Sequence, residues 1–307
     1  MNITSFTYET KDRFQIAAYK WMNEEKPKAI IQIAHGMAEH AKRYDHFAHF
    51  LLSKGFHVYA NDHRGHGDTI HLPDERGFYA PEKGFEKVVS DMEQLNDIIH
   101  EENPGVPVFL LGHSMGSFLS RRYAQLYGKT IAGLILSGTG YDKGLLGKAG
   151  IALAKIEMKR IGMRTPSPLL DKMVFGNFNK PFAPARTKFD FLTRSEHEVD
   201  LYIDDPNCGF ICTAGFFHDL FKGIELIHKR KEVARTPYAL PIFIFSGSED
   251  PVGDHGDGVM KVYDLYNKYC EYVSVKLYHD GRHEMLNEIN REEVYDDIVN
   301  WIHSHMI

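Results

Sequence analysis

Cysteine is scarce in this chain: Cys208, Cys212 and Cys270 are the three in 307 residues, and none of them form a C-x-x-C pair. So few thiols exclude a disulfide framework and fit a reducing, cytoplasmic compartment. Basic charge is in deficit too. Lysine and arginine together number 36 against 42 acidic residues, a net charge of −6. That argues against the clustered basic surface that broad nucleic-acid binding needs. No run approaches the roughly eighteen apolar residues of a membrane span. The opening stretch, MNITSFTYETKDRF, is polar and mixed in charge and lacks the apolar centre of a secretory signal. Internal repeats and low-complexity tracts are missing as well. What is present is ordinary for a globular protein, 43% hydrophobic and 25% charged residues. At this length the chain holds one large domain, or a core with an insertion.

The most informative stretch is VPVFLLGHSMG, Val106 to Gly116. A short apolar run, Val108 to Leu111, ends in Gly112-His113-Ser114-Met115-Gly116, and an amphipathic helical pattern begins at once. This is the strand, tight turn and helix of a G-x-S-x-G nucleophile elbow. A serine hydroxyl is a poor nucleophile unless it is held exposed, beside a base, with donors ready for the developing oxyanion. The glycines allow the strained turn, because a Cβ at either place would crowd the neighbouring strand or helix. The helix N-terminus adds oriented N–H groups and partial positive charge. Ser114 is therefore the candidate nucleophile, set against the plainer reading of an ordinary small-residue turn.

Elsewhere the chain alternates. Residues 3–8 and 13–22 read as an antiparallel opening pair of strands. Ala29 to Ala34 is a continuous apolar run suited to a strand buried on both faces. Helical spacing follows at Tyr44, Phe47, Phe50 and Leu51, then a strand from Phe56 to Ala60. Phe85, Val88, Val89, Met92, Leu95, Ile98 and Ile99 mark a second helix, and Ile131 to Leu136 another buried strand. From about Tyr141 to Arg235 the alternation gives way to helical patterns, prolines and aromatics. It resumes with a strand at 242–246, a helix near 256–268, a strand at 272–278 and a last helix carrying Val294, Ile298, Trp301 and Ile302. The pattern predicts an α/β fold with a mostly parallel central sheet flanked by helices and an inserted helical cap. The core takes residues 1–140 and 236–307, and the cap 141–235. Such sheets place their sites at the carboxyl ends of the strands, where Ser114, the His35 turn, Asp250 and His283 all fall.

A serine nucleophile needs a base, and the base needs an orienting carboxylate. In the elbow-bearing hydrolases the chain order is serine, acid, histidine. Asp250 follows the strand IFIFS and His283 follows VSVKLYHD, so they are the candidate acid and base. Glu249, Asp254 and Asp257 are rivals for the acid, and His279 for the base. Taken singly, Asp250 reads equally as a loop cap and His283 as a surface turn residue.

The stretches HGMAEHAKRY, DHRGHG, GHSMG, GSEDPV and GRHEMLNE resemble the monoacylglycerol lipase and lysophospholipase branch of the α/β-hydrolase fold, which is grouped with serine aminopeptidase S33 hydrolases. The resemblance runs from about residue 29 to 305. It implies Ser114 as nucleophile, Asp250 as acid and His283 as base, with the backbone amides of Met37 and Met115 as the oxyanion hole. The alcohol leaves as the acyl-enzyme forms, and water then hydrolyses the acyl-enzyme. No metal and no cofactor is required. Among the eighteen histidines, His63-x-x-His66 is the most metal-like pair, but it lacks a carboxylate or cysteine partner at ligand spacing. The resemblance implies a structural role for that loop, as for Glu39 and His40.

The cap bears on the substrate. From Lys143 to Arg164, six basic residues against Glu157 leave a local charge of +5, with Leu146, Ala149, Leu153 and Ile156 on one helical stripe and Lys148, Lys155 and Lys159 on another. The plainer reading is a solvated charged face over the core; the other is transient contact with an anionic membrane surface. Phe175, Phe178, Phe182, Phe189, Phe191, Phe210, Phe216, Phe217 and Phe221 supply the cap's own core, an apolar acyl tunnel, or both. The expected activity is a serine carboxylester hydrolase acting on a small-molecule acyl ester, a monoacylglycerol or lysophospholipid, with no nucleic-acid partner. A short-chain or aryl esterase is one alternative. An S33-type peptidase is another, with Glu196, Glu198, Asp200, Asp204 and Asp205 available for a substrate amine.

Overall fold

The apolar runs become the strands of a single eight-stranded sheet in the computed structural model, which describes residues 3–306. In chain order they are β1 (Ile3–Glu9), β2 (Gln15–Trp21), β3 (Ala29–Ala34), β4 (Phe56–Asn61), β5 (Val108–His113), β6 (Gly133–Ser137), β7 (Ile242–Gly247) and β8 (Val273–Tyr278). Their order across the sheet is β1-β2-β4-β3-β5-β6-β7-β8. The pairings of β1 with β2 and of β2 with β4 are antiparallel, and every pairing from β4 to β8 is parallel.

The middle strands are buried on both faces, which is why they read as unbroken apolar runs rather than alternations. Ile31, Ile33, Phe109, Leu111, Phe243 and Phe245 pack on one side, and Leu110, Leu134, Leu136, Ile242 and Ile244 on the other. The first side is covered by α1 (Asp45–Ser53) through Phe47 and Leu51. On the second, α2 (Gly84–Glu102) and α3 (Met115–Tyr127) bury Val88, Val89, Met92, Leu119 and Tyr123. The i, i+3, i+4 spacing of these residues puts them on one stripe of each helix.

Between β6 and β7 lie α4 (Leu145–Ile161), α5 (Pro168–Phe175), α6 (Glu196–Asp204), α7 (Ala214–Ile227) and α8 (Arg230–Val233). Ser167, Ser195 and Thr213 cap α5, α6 and α7 by accepting from the Leu170, Glu198 and Phe216 amides. A capping side chain of this kind is worth about 1 kcal/mol. The inserted segment has no body of its own at α7. Phe216 and Phe217 are fully buried in the same core cluster as Tyr79, Phe85 and Tyr123, each contributing about 2–3 kcal/mol. Farther on, α9 (Asp257–Tyr266) and α10 (Arg291–His305) complete the two layers.

Helix α4 departs from the expected charged face over a core-facing apolar stripe. Its buried positions are Gly150, Ala154 and Glu157, while Leu145, Leu146 and Ile156 are 84%, 77% and 61% exposed. The cause is the closeness of α7: a Cβ at Gly150 would already touch the Phe221 ring. Only small residues fit that contact, so Leu145, Leu146 and Ile156 turn outward among Lys148, Lys155 and Lys159, while Leu153, Met158 and Ile161 pack partly buried against the core.

Candidate active site

Strand register lines up the turns that carry the candidate residues. Ala34 pairs with Gly112, His113 with Ser137, Ser137 with Phe245, and Gly247 with Tyr278. The segments after β3, β5, β6, β7 and β8 therefore open along one edge of the sheet, at the carboxyl ends of its parallel strands.

Ser114 stands between β5 and α3 at φ 52°, ψ −118°. A non-glycine residue there carries strain of about 1–3 kcal/mol and persists only when its surroundings impose it. They do: the Ser114 amide donates to the Ser137 carbonyl at 2.9 Å, and its own carbonyl accepts from the Ser117 amide at 2.9 Å and the Ser117 hydroxyl at 2.6 Å. A Cβ at Gly116 would run into the Ala34 carbonyl, so the glycine lets α3 start hard against the turn after β3. Ser114 is partly exposed while its neighbours from Leu111 to Ser120 are buried. Its hydroxyl makes no hydrogen bond among the described residues, as expected before substrate aligns it.

Asp250 and His283 meet. Both carboxylate oxygens of Asp250 lie 3.0 Å from His283 Nδ1. Asp250 also accepts from the Ser246 hydroxyl at 2.7 Å and the Val252 amide at 2.9 Å. Burial alone would raise the Asp250 pKa, but the His283 ring and these donors bring it below the ordinary carboxylate value. Burial alone would lower His283, yet the Asp250 carboxylate, with help from Glu284 and Glu39, holds it above the ordinary imidazole value. The rivals lie elsewhere. The side chains of Glu249 and Asp254 are 46% and 41% exposed and that of His279 is 92% exposed, while Asp257 is exposed at the start of α9. His283 packs at a tilt against His113, ring centroids 4.7 Å apart, which sets it beside the residue preceding Ser114.

Met37 and Met115 flank the same place. Neither backbone amide donates a hydrogen bond among the described residues, and both belong to segments packed together at Gly116 and Ala34. Free amides of this kind, that of Met115 at the start of α3 and that of Met37 in the turn after β3, can receive an oxyanion. The turn holding Met37 is fixed by Glu39, whose Oε1 accepts from the Gly36 amide at 2.5 Å and the Tyr44 hydroxyl at 2.9 Å.

Arg43 and Glu284 form a link that the sequence reading did not assign. Arg43 donates from Nη1 to Glu39 at 2.7 Å and forks onto both oxygens of Glu284, at 2.7 and 2.9 Å. It thus ties the turn of Met37 to the residue after His283. Only the adjacency of Glu284 to His283 signalled this, and adjacency does not name a partner 241 residues away. We expect Glu284→Gln to move the acidic limb of kcat/KM to lower pH. The Glu284 charge helps keep His283 protonated, so its loss lowers the pH at which the neutral base appears. Breaking one side of a buried pair should also cost about 3 kcal/mol. A pH–rate profile with an unmoved limb would contradict this role.

His35, His63 and His66 cluster beneath the turn, with the His35 and His63 rings 4.2 Å apart. His35 Nε2 accepts from the His63 amide at 2.9 Å, leaving Nδ1 to donate to the Gly36 carbonyl at 2.7 Å. Burial, reinforced by the His66 ring, pushes His63 down to about 3; burial takes His66 to about 4. These neutral rings hold the loop.

Residues 25–290 match the family described as serine aminopeptidase, S33. The chain belongs to that family. Among its relatives, the rat monoglyceride lipase is 30% identical over 292 residues, 94% of this chain and 86% of the relative. The monoacylglycerol lipase of Mycolicibacterium smegmatis is 29% identical, covering 93% and 92%. Of solved structures, a thermostable carboxyl esterase from Bacillus coagulans, in complex with glycerol, superposes over 100% of both chains with a TM-score of 0.92 and 26% identity. This S33 family member is an α/β-hydrolase and a serine ester hydrolase. Three of its acidic residues from 196 to 205 are paired: Glu198 with Arg291, Asp200 with Arg186 and Asp205 with His40.

Proposed function

We propose that this chain hydrolyses esters of single-chain lipids, monoacylglycerols foremost, through an acyl-enzyme on Ser114. The observation that carries this reading is the buried Asp250–His283 pair opening on the same sheet edge as a strained, accessible serine. His283 takes the Ser114 proton as the hydroxyl attacks the ester carbonyl. The Met37 and Met115 amides bind the oxyanion, and Asp250 stabilises the imidazolium. His283 then protonates the departing alcohol, and water repeats the sequence on the acyl-enzyme. The likeness to the rat monoglyceride lipase and the mycobacterial monoacylglycerol lipase supports glycerol esters as substrates.

Residues 141–235 act as the cap in this reading, within a reducing, cytoplasmic setting. Five phenylalanines from Phe175 to Phe191 gather there with Leu192 and Tyr202, and Phe191 lies 6.1 Å from the His283 ring. An acyl chain lying along such a surface gains about 0.8 kcal/mol per methylene. The outward apolar residues of α4, together with Leu169 and Met173 of α5 at 48% and 44% exposed, form the face that meets the lipid aggregate. Among the described residues no helix is long and apolar enough to cross a membrane; the contact proposed here is interfacial.

A panel of p-nitrophenyl esters tests the reading. Going from acetyl to octanoyl adds about six methylenes, so complete burial would raise kcat/KM by about three orders of magnitude. Partial burial reduces that, and we expect at least about a tenfold preference for octanoyl. Leu145→Glu with Leu146→Glu should slow hydrolysis of vesicle-borne monoacylglycerol and spare the dispersed octanoyl ester. A flat chain-length profile would favour a short-chain esterase, and efficient cleavage of an aminoacyl-naphthylamide a peptidase.

A further inference from the structure

Beside the catalytic edge, His40, Asp205 and Cys208 bring a ring nitrogen, a carboxylate oxygen and a sulfur within 4.8 Å of one another. Among the described residues this is the one group of three such ligands so arranged. We propose that these side chains form a binding site for a divalent ion of the Zn2+ class, which staples the turn after β3 to the loop between α6 and α7.

The donor set selects the ion. A thiolate, an imidazole and a carboxylate suit a borderline transition metal, and three protein ligands with one open position are a standard zinc arrangement. Water can complete the shell, because the Asp205 side chain is 28% exposed. The segment carrying Asp205 and Cys208 is also held from behind, which raises affinity. Asp205 Oδ1 accepts from the Asn207 amide at 2.8 Å, leaving Oδ2 2.8 Å from His40 Nε2. The Cys208 amide donates to the Asp205 carbonyl at 3.0 Å, and Arg76 anchors the Pro206 carbonyl at 2.9 Å.

His40 is buried, and its Nδ1 has no hydrogen-bond partner. Nothing on that side fixes the proton to Nε2. The ring can carry it on Nδ1 and present Nε2 as a bare lone pair. Cys208 would bind the ion as a thiolate. Binding breaks the Sγ–H bond, forms the Sγ–metal bond and releases one proton to solvent, with no change in oxidation state. The nearby Arg43 charge is matched by Glu39 and Glu284, so it does not stand against a cation.

The ion would act where the two segments already touch. The Ala38 carbonyl accepts from the Gly209 amide at 2.9 Å and the Tyr202 hydroxyl at 3.0 Å. Ala38, at φ 52°, separates His40's side of the turn from Met37. No local spacing announces this site, since His40 and Asp205 are 165 residues apart.

The test uses the full chain stripped of metal. Titration with Zn2+ against a chromogenic chelator should show one high-affinity ion per chain, weakened about 10–100-fold in Cys208→Ser and in Asp205→Asn. Co2+ should give a near-ultraviolet thiolate-to-metal charge-transfer band in the wild type and none in Cys208→Ser. Metal-free melting curves of both variants check that they fold. The proposal is overturned by a wild type that binds no ion, by Co2+ binding without the band, or by unchanged affinity in both variants. The wild-type spectrum decides it even without the variants. None of these readouts needs turnover, so the ester-hydrolase reading stands or falls separately.

Discussion

Ser114→Ala should lose turnover by about six orders of magnitude, the scale on which removal of a triad serine acts, and its melting temperature should barely move. Alanine keeps the Cβ and lacks only Oγ, which makes no hydrogen bond among the described residues. The hydrogen bonds that impose φ 52° on residue 114 use its backbone, so they survive the change. A fluorophosphonate probe should label the wild type and leave this variant unlabelled. Ser114→Gly separates strain from chemistry. Glycine relieves about 1–3 kcal/mol of backbone strain and costs about 0.5–1 kcal/mol in the unfolded chain. Its expected signature is zero turnover with a melting temperature up by about 1–3 °C. Labelling that persists in Ser114→Ala would move the nucleophile elsewhere.

The parts of the fold and site legible in the sequence are those whose physics is local. A strand buried on both faces writes itself as an apolar run, and Ala29–Ala34 and Ile242–Gly247 are buried at every position. The elbow is legible because strand, glycine, serine, glycine and helix are contiguous. At β6 the strand begins at Gly133 rather than Ile131, and the Phe109 and Trp301 rings fill the space where a Cβ would stand at Gly133. Illegible features are those decided by a neighbour distant in sequence. Helix α4 turns Leu145, Leu146 and Ile156 outward because its contact with α7, where the Phe221 ring faces Gly150, takes small residues such as Gly150 and Ala154. Arg43 meets Glu284, and His40 meets Asp205, across separations that no periodicity encodes. The choice of Asp250 over Glu249 is intermediate: chain order narrows it to a loop, and burial selects the residue.

That selection makes the acid and base changes sharply unequal to their neighbours. His283→Ala should cost about as much as losing the serine, because nothing else takes the Ser114 proton. Asp250→Asn should cost about four orders of magnitude: an amide nitrogen facing Nδ1 favours the tautomer that leaves Nε2 protonated and unable to act as base. Glu249→Gln and His279→Ala should each stay within about twofold of wild type, since surface substitutions away from the chemistry change little. The pair also separates the pH of stability from the pH of activity. The raised His283 pKa stabilises the fold below the ordinary imidazole value and loses that contribution as pH climbs through the raised one. The lowered Asp250 pKa stabilises above the ordinary carboxylate value and fails as pH falls through the lowered one. Stability from this pair therefore peaks in the mildly acidic range, about pH 4–6.5, while turnover rises on the alkaline side as His283 becomes neutral. Melting temperature and kcat/KM measured from pH 4 to 9 in wild type and Asp250→Asn check both trends. A larger loss in Glu249→Gln than in Asp250→Asn would shift the acid by one residue and sink this assignment.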